Sequence, residues 1–282
     1  MTLPHFSPDA DPGPDFASLL RRVGRDPEAP IVESIGGVPL AITHGTTVVA
    51  IRTRDGVVMA GDRRATSGNL ISHRAMEKVF PADRWSGVAI AGAAGPAMEM
   101  VRLFQLQLEH YEKVEGHPLS LEGKANQLGQ MVRAHLPAAM QGMVVVPLFA
   151  GYDLQRGVGR LFEFDVTGGR YEELHHAATG SGSLHAGTVV KIGYRADMEA
   201  TDAIDLSIRA LFEAADDDSA TGGPDLVRGI FPIVAVIDVE GFRRLEDDEI
   251  RQRFEAMIGD LSPTNTRGAA EGGQRPEQEV DR

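Results

Sequence analysis

Thr46-Thr47-Val48-Val49-Ala50-Ile51-Arg52-Thr53, then Arg54-Asp55-Gly56, then Val57-Val58-Met59-Ala60-Gly61, form two apolar segments joined by a short polar one. β-Branched residues crowd the first segment, Asp-Gly closes a turn, and the second segment returns as an apolar run. This predicts a β-hairpin that opens a folded domain.

Upstream the character changes. Pro4, Pro8, Pro12, Pro14, Pro27 and Pro30 punctuate residues 1–45, and only Phe16, Leu19, Leu20 and Val23 recur there at helical spacing. By composition alone this is a disordered terminus. Downstream, Glu77 to Phe80 and Gly87 to Ala91 read as a strand pair turning at Pro81-Ala82-Asp83. The period then becomes helical: Val101, Phe104, Leu108 and Tyr111 share one face of a helix from about Pro96 to Val114. A second helix follows Ser120, its expected N-cap, with Leu121, Ala125, Leu128 and Val132 inward. Strands return at Met143 to Tyr152, Arg160 to Asp165 and, after Thr167-Gly168-Gly169, at Arg170 to Leu174. Helices follow at Ser183 to Tyr194 and Met198 to Asp216, a last strand at Phe231 to Val239 and a closing helix at Asp247 to Met257. Strands, helices, strands and helices in that grouping predict an α+β fold, a four-layer αββα sandwich of two antiparallel sheets between helical layers.

Composition excludes several functions. The chain has 282 residues, 42% hydrophobic and 24% charged, enough for one large core. A net charge of −13 argues against nucleic acid or an anionic membrane as a partner. No cysteine is present, which removes disulfides, thiolate nucleophiles and Cys-based zinc sites. Asp9, Asp11 and Asp15 stand where a secretory signal needs basic and apolar residues, and the most apolar run, Met143 to Tyr152, is too short to span a bilayer. A cytoplasmic protein is expected. There is no Gly-x-Ser-x-Gly elbow, no His-Glu-x-x-His and no P-loop, and the nine histidines are scattered, so neither a metal site nor a cofactor is expected.

What remains is an ordered set of motifs: His44-Gly45-Thr46-Thr47-Val48-Val49, Gly61-Asp62-Arg63-Arg64-Ala65-Thr66, Glu77-Lys78-Val79 and Ala91-Gly92-Ala93-Ala94-Gly95. Asp62 lies sixteen positions after Thr46, and Lys78 sixteen after Asp62. In these motifs and their spacing, from Thr46 to about Met257, the chain resembles the proteasome β-subunit family of actinobacterial type, among the N-terminal-nucleophile hydrolases. The resemblance implies a threonine endopeptidase made as an inactive precursor. Residues 1–45 would be a propeptide, 46–260 the catalytic domain and 261–282 a disordered tail.

The chemistry suits those residue types. A threonine hydroxyl needs a base, and an N-terminal residue carries its own, an α-amine of pKa about 7.7–8.0. Inside a chain that nitrogen is an amide and cannot serve. By the resemblance, cleavage between Gly45 and Thr46 frees the nucleophile Thr46, Lys78 favours its deprotonated hydroxyl, and Asp62 holds Lys78. Read without it, Asp62 and Lys78 are an ordinary surface ion pair. Gly92 would offer its N–H to the oxyanion, although a tight turn also explains a glycine there. Gly180-Ser181-Gly182-Ser183 and Asp218-Ser219-Ala220-Thr221-Gly222-Gly223 resemble the remaining active-site segments, so Ser181, Asp218 and Thr221 would surround the Thr46 amine. Thr221 departs from the serine that many members carry. Composition alone makes these segments a loop and an acidic helix end.

Ala65, Met76, Ile90, Ala94 and Met98 would line an apolar pocket for the residue before the scissile bond, and Thr66 would pair with the substrate backbone. Met98 is equally a core residue of the first helix. As partners the resemblance implies homo-heptameric β rings, flanking α-subunit rings, an ATPase ring and unfolded protein substrates. Three alternatives stand beside this reading: a non-catalytic ring subunit, the simpler two-component bacterial threonine peptidase, and a small-molecule amidohydrolase of the same fold, which Thr46 with Lys78 disfavours. The long leader and extra C-terminal elements argue against the second.

Overall fold

A computed structural model describes residues 45–68 and 70–261. The proline-rich leader to residue 44, with the helical spacing of Phe16, Leu19, Leu20 and Val23, and the tail from residue 262 lie outside the described residues.

The opening hairpin forms as its residues demand: β1 (Thr47–Arg52) pairs antiparallel with β2 (Val57–Gly61), Val48 opposite Gly61. Along β1 the side chains alternate between two cores. Val48 and Ala50 join one apolar cluster, Val49 and Ile51 another, so both faces of this strand are covered. A small ribbon, β3 (Ala65–Ser67) with β4 (Leu70–His73), follows. Then come β5 (Val79–Asp83) and β6 (Ser86–Gly92). The turn between these two sits at Arg84-Trp85, three residues later than the proline suggested. β5 is an edge strand, where Pro81 sits opposite Gly87 and its missing N–H costs the sheet nothing. Asp83 closes the turn instead, its Oδ1 accepting from the Trp85 N–H at 3.1 Å and the Ser86 hydroxyl at 2.6 Å.

The helices come next: α1 (Ala94–Glu115), α2 (Leu121–Ala134) and a single turn, α3 (Leu136–Ala139). Ser120 caps α2 as expected, accepting from the Gly123 N–H at 3.1 Å. Strands β7 (Val145–Asp153), β8 (Val158–Phe164), β9 (Arg170–Glu173) and β10 (His176–Gly180) lead to α4 (Ser183–Gly193) and α5 (Ala200–Asp217). The chain closes with β11 (Ile233–Asp238), β12 (Gly241–Arg244) and α6 (Asp247–Leu261).

Two five-stranded antiparallel sheets result, ordered β10-β1-β2-β11-β12 and β5-β6-β7-β8-β9. Three clusters define the layers. Val48, Met59, Ala89, Leu148 and Ile233 pack between the sheets. Val49, Ile51, Val190, Ile208, Leu211 and Phe254 join the first sheet to α4, α5 and α6. Ile90, Phe104, Leu108, Leu128, Phe149 and Phe162 join the second sheet to α1 and α2, with the Phe104 and Phe149 rings edge to face at 5.8 Å. This is the αββα sandwich expected from the order of elements. Four strands escaped the reading: β10, whose end at Gly180 read as loop, and the short β3, β4 and β12, whose pairing rather than composition makes them strands.

Candidate active site

The strand ends converge. Thr47 at the start of β1 faces Gly180 at the end of β10, Val48 faces Gly61 at the end of β2, and Ile233 opens β11 beside the same Gly61. The segments just beyond these ends therefore meet at one edge of the sandwich, and they carry Thr46, Asp62, Ser181 and, past the end of α5, Asp218 and Thr221.

Thr46 is 4% exposed. Its hydroxyl donates to the Gly45 carbonyl at 2.8 Å, and its own carbonyl accepts from the Ser181 N–H at 2.8 Å. Gly45 lies flat against the Ala220 side chain: a Cβ placed on Gly45 would meet the Ala220 Cβ at 1.8 Å, so no larger residue fits before Thr46. The Gly45 N–H donates to Thr66 Oγ1 at 3.2 Å.

Asp62 and Lys78 are not a surface pair. Both side chains are wholly buried, with Lys78 Nζ 2.7 Å from Asp62 Oδ1 and 2.5 Å from the Arg64 carbonyl. Asp62 accepts three further hydrogen bonds, from the Thr47 N–H to Oδ1 at 2.9 Å and from the Arg64 and Gly222 N–H groups to Oδ2 at 2.8 and 2.9 Å. Four donors on two oxygens describe an ionised carboxylate. Asp62 Oδ1 thus ties the Lys78 ammonium to the peptide that follows Thr46. Burial pushes the Lys78 amine below the ordinary lysine value, and the Asp62 charge pulls it part of the way back.

On the other side, Asp218 follows the C-terminal turn of α5 and its Oδ2 accepts the Ser181 hydroxyl at 2.5 Å and the Thr221 hydroxyl at 2.6 Å. Its Oδ1 accepts from the Ala220 N–H at 3.1 Å. Burial alone would raise this carboxyl; the hydrogen bonds from Ser181, Thr221 and Ala220 outweigh it and leave the group below the usual carboxylate value. Thr221 is fully buried and its hydroxyl donates to Asp218.

One partner was missed. Thr47 Oγ1 lies 2.6 Å from Thr221 Oγ1 and accepts from the Gly182 N–H at 2.9 Å. Read as a strand residue it is one more β-branched filler. The signal available in the sequence was the Thr46-Thr47 doublet: alternation sends the second hydroxyl to the face opposite the first.

Gly92 ends β6 with φ 110°, and a Cβ there would lie 2.0 Å from the Val144 carbonyl oxygen. The position admits only glycine. Of the residues expected to line an apolar pocket, Ala65 is buried in β3 beside Thr66, the residue expected to pair with substrate, and Met76 is half-buried with its N–H bonded to the Arg63 carbonyl at 3.0 Å. Ala94 begins α1 and is half-buried. Ile90 is 2% exposed in the cluster under α1 and α2, and Met98 packs on the rim of that cluster.

Among the described residues no cluster of three or more His, Asp or Glu side chains could hold a metal ion, and no helix is long and apolar enough to cross a membrane.

A profile of the family described as "Proteasome subunit" matches residues 42–227. The chain is 59% identical over 253 residues to a protein named proteasome subunit beta from Acidimicrobium ferrooxidans, covering 89% of this chain and 92% of that one. Proteins of the same name from Streptomyces griseus and Acidothermus cellulolyticus are 63% identical over 206 residues and 58% identical over 227. These cover 73% and 79% of this chain and 73% and 78% of theirs.

Proposed function

The chain belongs to the proteasome subunit family, and from that premise we propose that it is a catalytic β subunit whose nucleophile is Thr46, released as a new N-terminus when the Gly45–Thr46 bond is cut. The observation that carries this reading is the Thr46 hydroxyl held 2.8 Å from the Gly45 carbonyl oxygen beside a fully buried Lys78–Asp62 pair. A ring subunit without catalysis has no physical need of a buried lysine, which costs several kcal/mol to desolvate.

Maturation is intramolecular. Thr46 Oγ adds to the Gly45 carbonyl carbon, the carbon–nitrogen bond breaks, and the Thr46 nitrogen leaves as an amine carrying the proton lost by the hydroxyl. Water then hydrolyses the resulting ester, freeing Gly45 as a carboxylate with residues 1–45 and restoring the Thr46 hydroxyl. During the first step no α-amine exists to act as base. Lys78, held below its ordinary pKa by burial, is the group whose Asp62 partner anchors it to the Thr46–Thr47 peptide. Once formed, the Thr46 amine takes the hydroxyl proton itself. Each substrate peptide then passes through an acyl-enzyme that water hydrolyses, with the Gly92 N–H facing the oxyanion in both steps.

Membership of the family implies assembly with proteasome α and β rings. Within that frame the subunit would form heptameric β rings in the cytoplasm, fed by an ATPase that unfolds substrates. The apolar side chains of Ala65, Met76, Ile90, Ala94 and Met98 would favour cleavage after hydrophobic residues.

The test is the intact mass of the protein co-expressed with its α partner, wild type beside Thr46→Ala. Loss of residues 1–45 by the wild type alone is expected. Full-length chains of both kinds in an assembled particle would leave a non-catalytic ring subunit in place of a peptidase.

A further inference from the structure

We propose that Thr47 is a positioning residue for the peptidase reaction, its hydroxyl donating to Thr221 and so holding in place the Thr221 hydroxyl that runs on to Asp218 and reaches the Thr46 amine. The inference rests on the Thr46 reading and adds a residue to it. The donors and acceptors leave a single arrangement. Asp218, ionised, can only accept, so the Thr221 hydroxyl spends its one proton on Asp218 Oδ2 at 2.6 Å. The contact of 2.6 Å between Thr221 and Thr47 must then use the Thr47 proton. Thr47 in turn accepts from the Gly182 N–H at the start of α4. Reversing the file would strand the Thr47 proton in a site where both threonines are fully buried, and an unmade bond there costs about 1–3 kcal/mol.

The consequence falls on Thr46. Thr221 belongs to the turn whose Ala220 packs on Gly45, and the Ser181 N–H binds the Thr46 carbonyl, so the segments that carry both hydroxyls adjoin Gly45 and Thr46. Ser181 also gives its proton to Asp218. Each hydroxyl therefore offers the amine a lone pair and no proton. An amine so placed must donate its N–H bonds to them, which leaves its own lone pair for the Thr46 hydroxyl. Thr47 contributes by donating to Thr221, which fixes the position of that hydroxyl. Gly182 makes room for it: a Cβ there would lie 2.6 Å from both threonine oxygens.

The experiment compares wild type, Thr47→Val and Thr47→Ser, each assembled with the α partner, by intact mass and by steady-state hydrolysis of a peptide with a hydrophobic residue before the cleaved bond. Valine keeps the branched shape and loses the hydroxyl; serine keeps the hydroxyl. With valine, kcat should fall about tenfold at nearly constant KM, the equivalent of one hydrogen bond, and serine should restore it to within about twofold. Should the valine particle not assemble, Thr47→Ala is read in the same way. Unchanged kcat without the hydroxyl, or a serine variant as slow as valine, overturns the role of Thr47 while leaving the Thr46 reading intact. A wild type that never sheds residues 1–45 sinks both.

Discussion

Lys78 Nζ stands 2.7 Å from Asp62 Oδ1 with neither side chain reaching solvent, and the two partners are unequally provided for. Without Lys78, Asp62 keeps three backbone N–H donors. Without Asp62, Lys78 keeps one carbonyl and three N–H groups lose their acceptor. Removing one partner of a buried pair costs about 3–5 kcal/mol. Asp62→Ala is expected at or above that range and Lys78→Met below it, as measured by urea unfolding of the two precursors. Both should fail to process. Equal destabilisation by the two substitutions would contradict the asymmetry.

Gly92→Ala tests the backbone at the position proposed to serve the oxyanion. The new Cβ would press on the Val144 carbonyl, and a φ of 110° is costly for any L side chain, by roughly 1–3 kcal/mol before the clash is counted. A lower melting temperature and an unprocessed precursor are expected. A variant that keeps both properties would show that β6 can yield there.

Thr221 separates hydroxyl from shape. Thr221→Ser preserves the bonds to Asp218 and Thr47, so removal of residues 1–45 should proceed within about threefold of wild type, under ~1 kcal/mol. Thr221→Val leaves the Thr47 proton and one bond to Asp218 unmade, at about 1–3 kcal/mol, and processing should slow at least tenfold. Time courses followed by mass spectrometry distinguish the two. A valine variant as fast as serine would remove Thr221 from the site.

The legible parts of this chain are those whose cause is local. The β1–β2 hairpin, the Ser120 cap and the apolar faces of α1 and α2 follow from spacing within one segment, and each stands where it was expected. β10 and β12 exist because β1 and β11 lie beside them, a fact that no window of either strand contains. The site divides in the same way. Thr46, Asp62 and Lys78 stood out by order and interval, whereas Thr47 reads as a strand former until Thr221, 174 residues later, is placed against it. Asp218 looked like a solvated helix end because the hydroxyls that claim it come from Ser181 and Thr221, on other turns.

The pH dependence of stability follows from Lys78. Its folded pKa is lowered by burial, the Asp62 charge opposing, while the unfolded chain keeps an ordinary value of about 10.4. Between those two values the unfolded state binds more protons than the folded one, and stability must rise with pH there. Below the folded pKa both states are protonated and the full desolvation cost of the ammonium is felt. The cost is relieved as pH climbs through the window toward the unfolded value. Tyr171 and Tyr194, whose pKa values are raised by the bond to Asp165 and by burial respectively, change stability in the opposite sense over alkaline pH, so the wild-type curve alone is not diagnostic. The difference between wild type and Lys78→Met is, because it cancels every other group. Urea midpoints of the two precursors, taken from pH 7 to pH 10, should show the wild type gaining on the variant as pH rises. Parallel curves would mean that Lys78 is charged to the same extent folded and unfolded, and would take from it the role of base in the first cleavage.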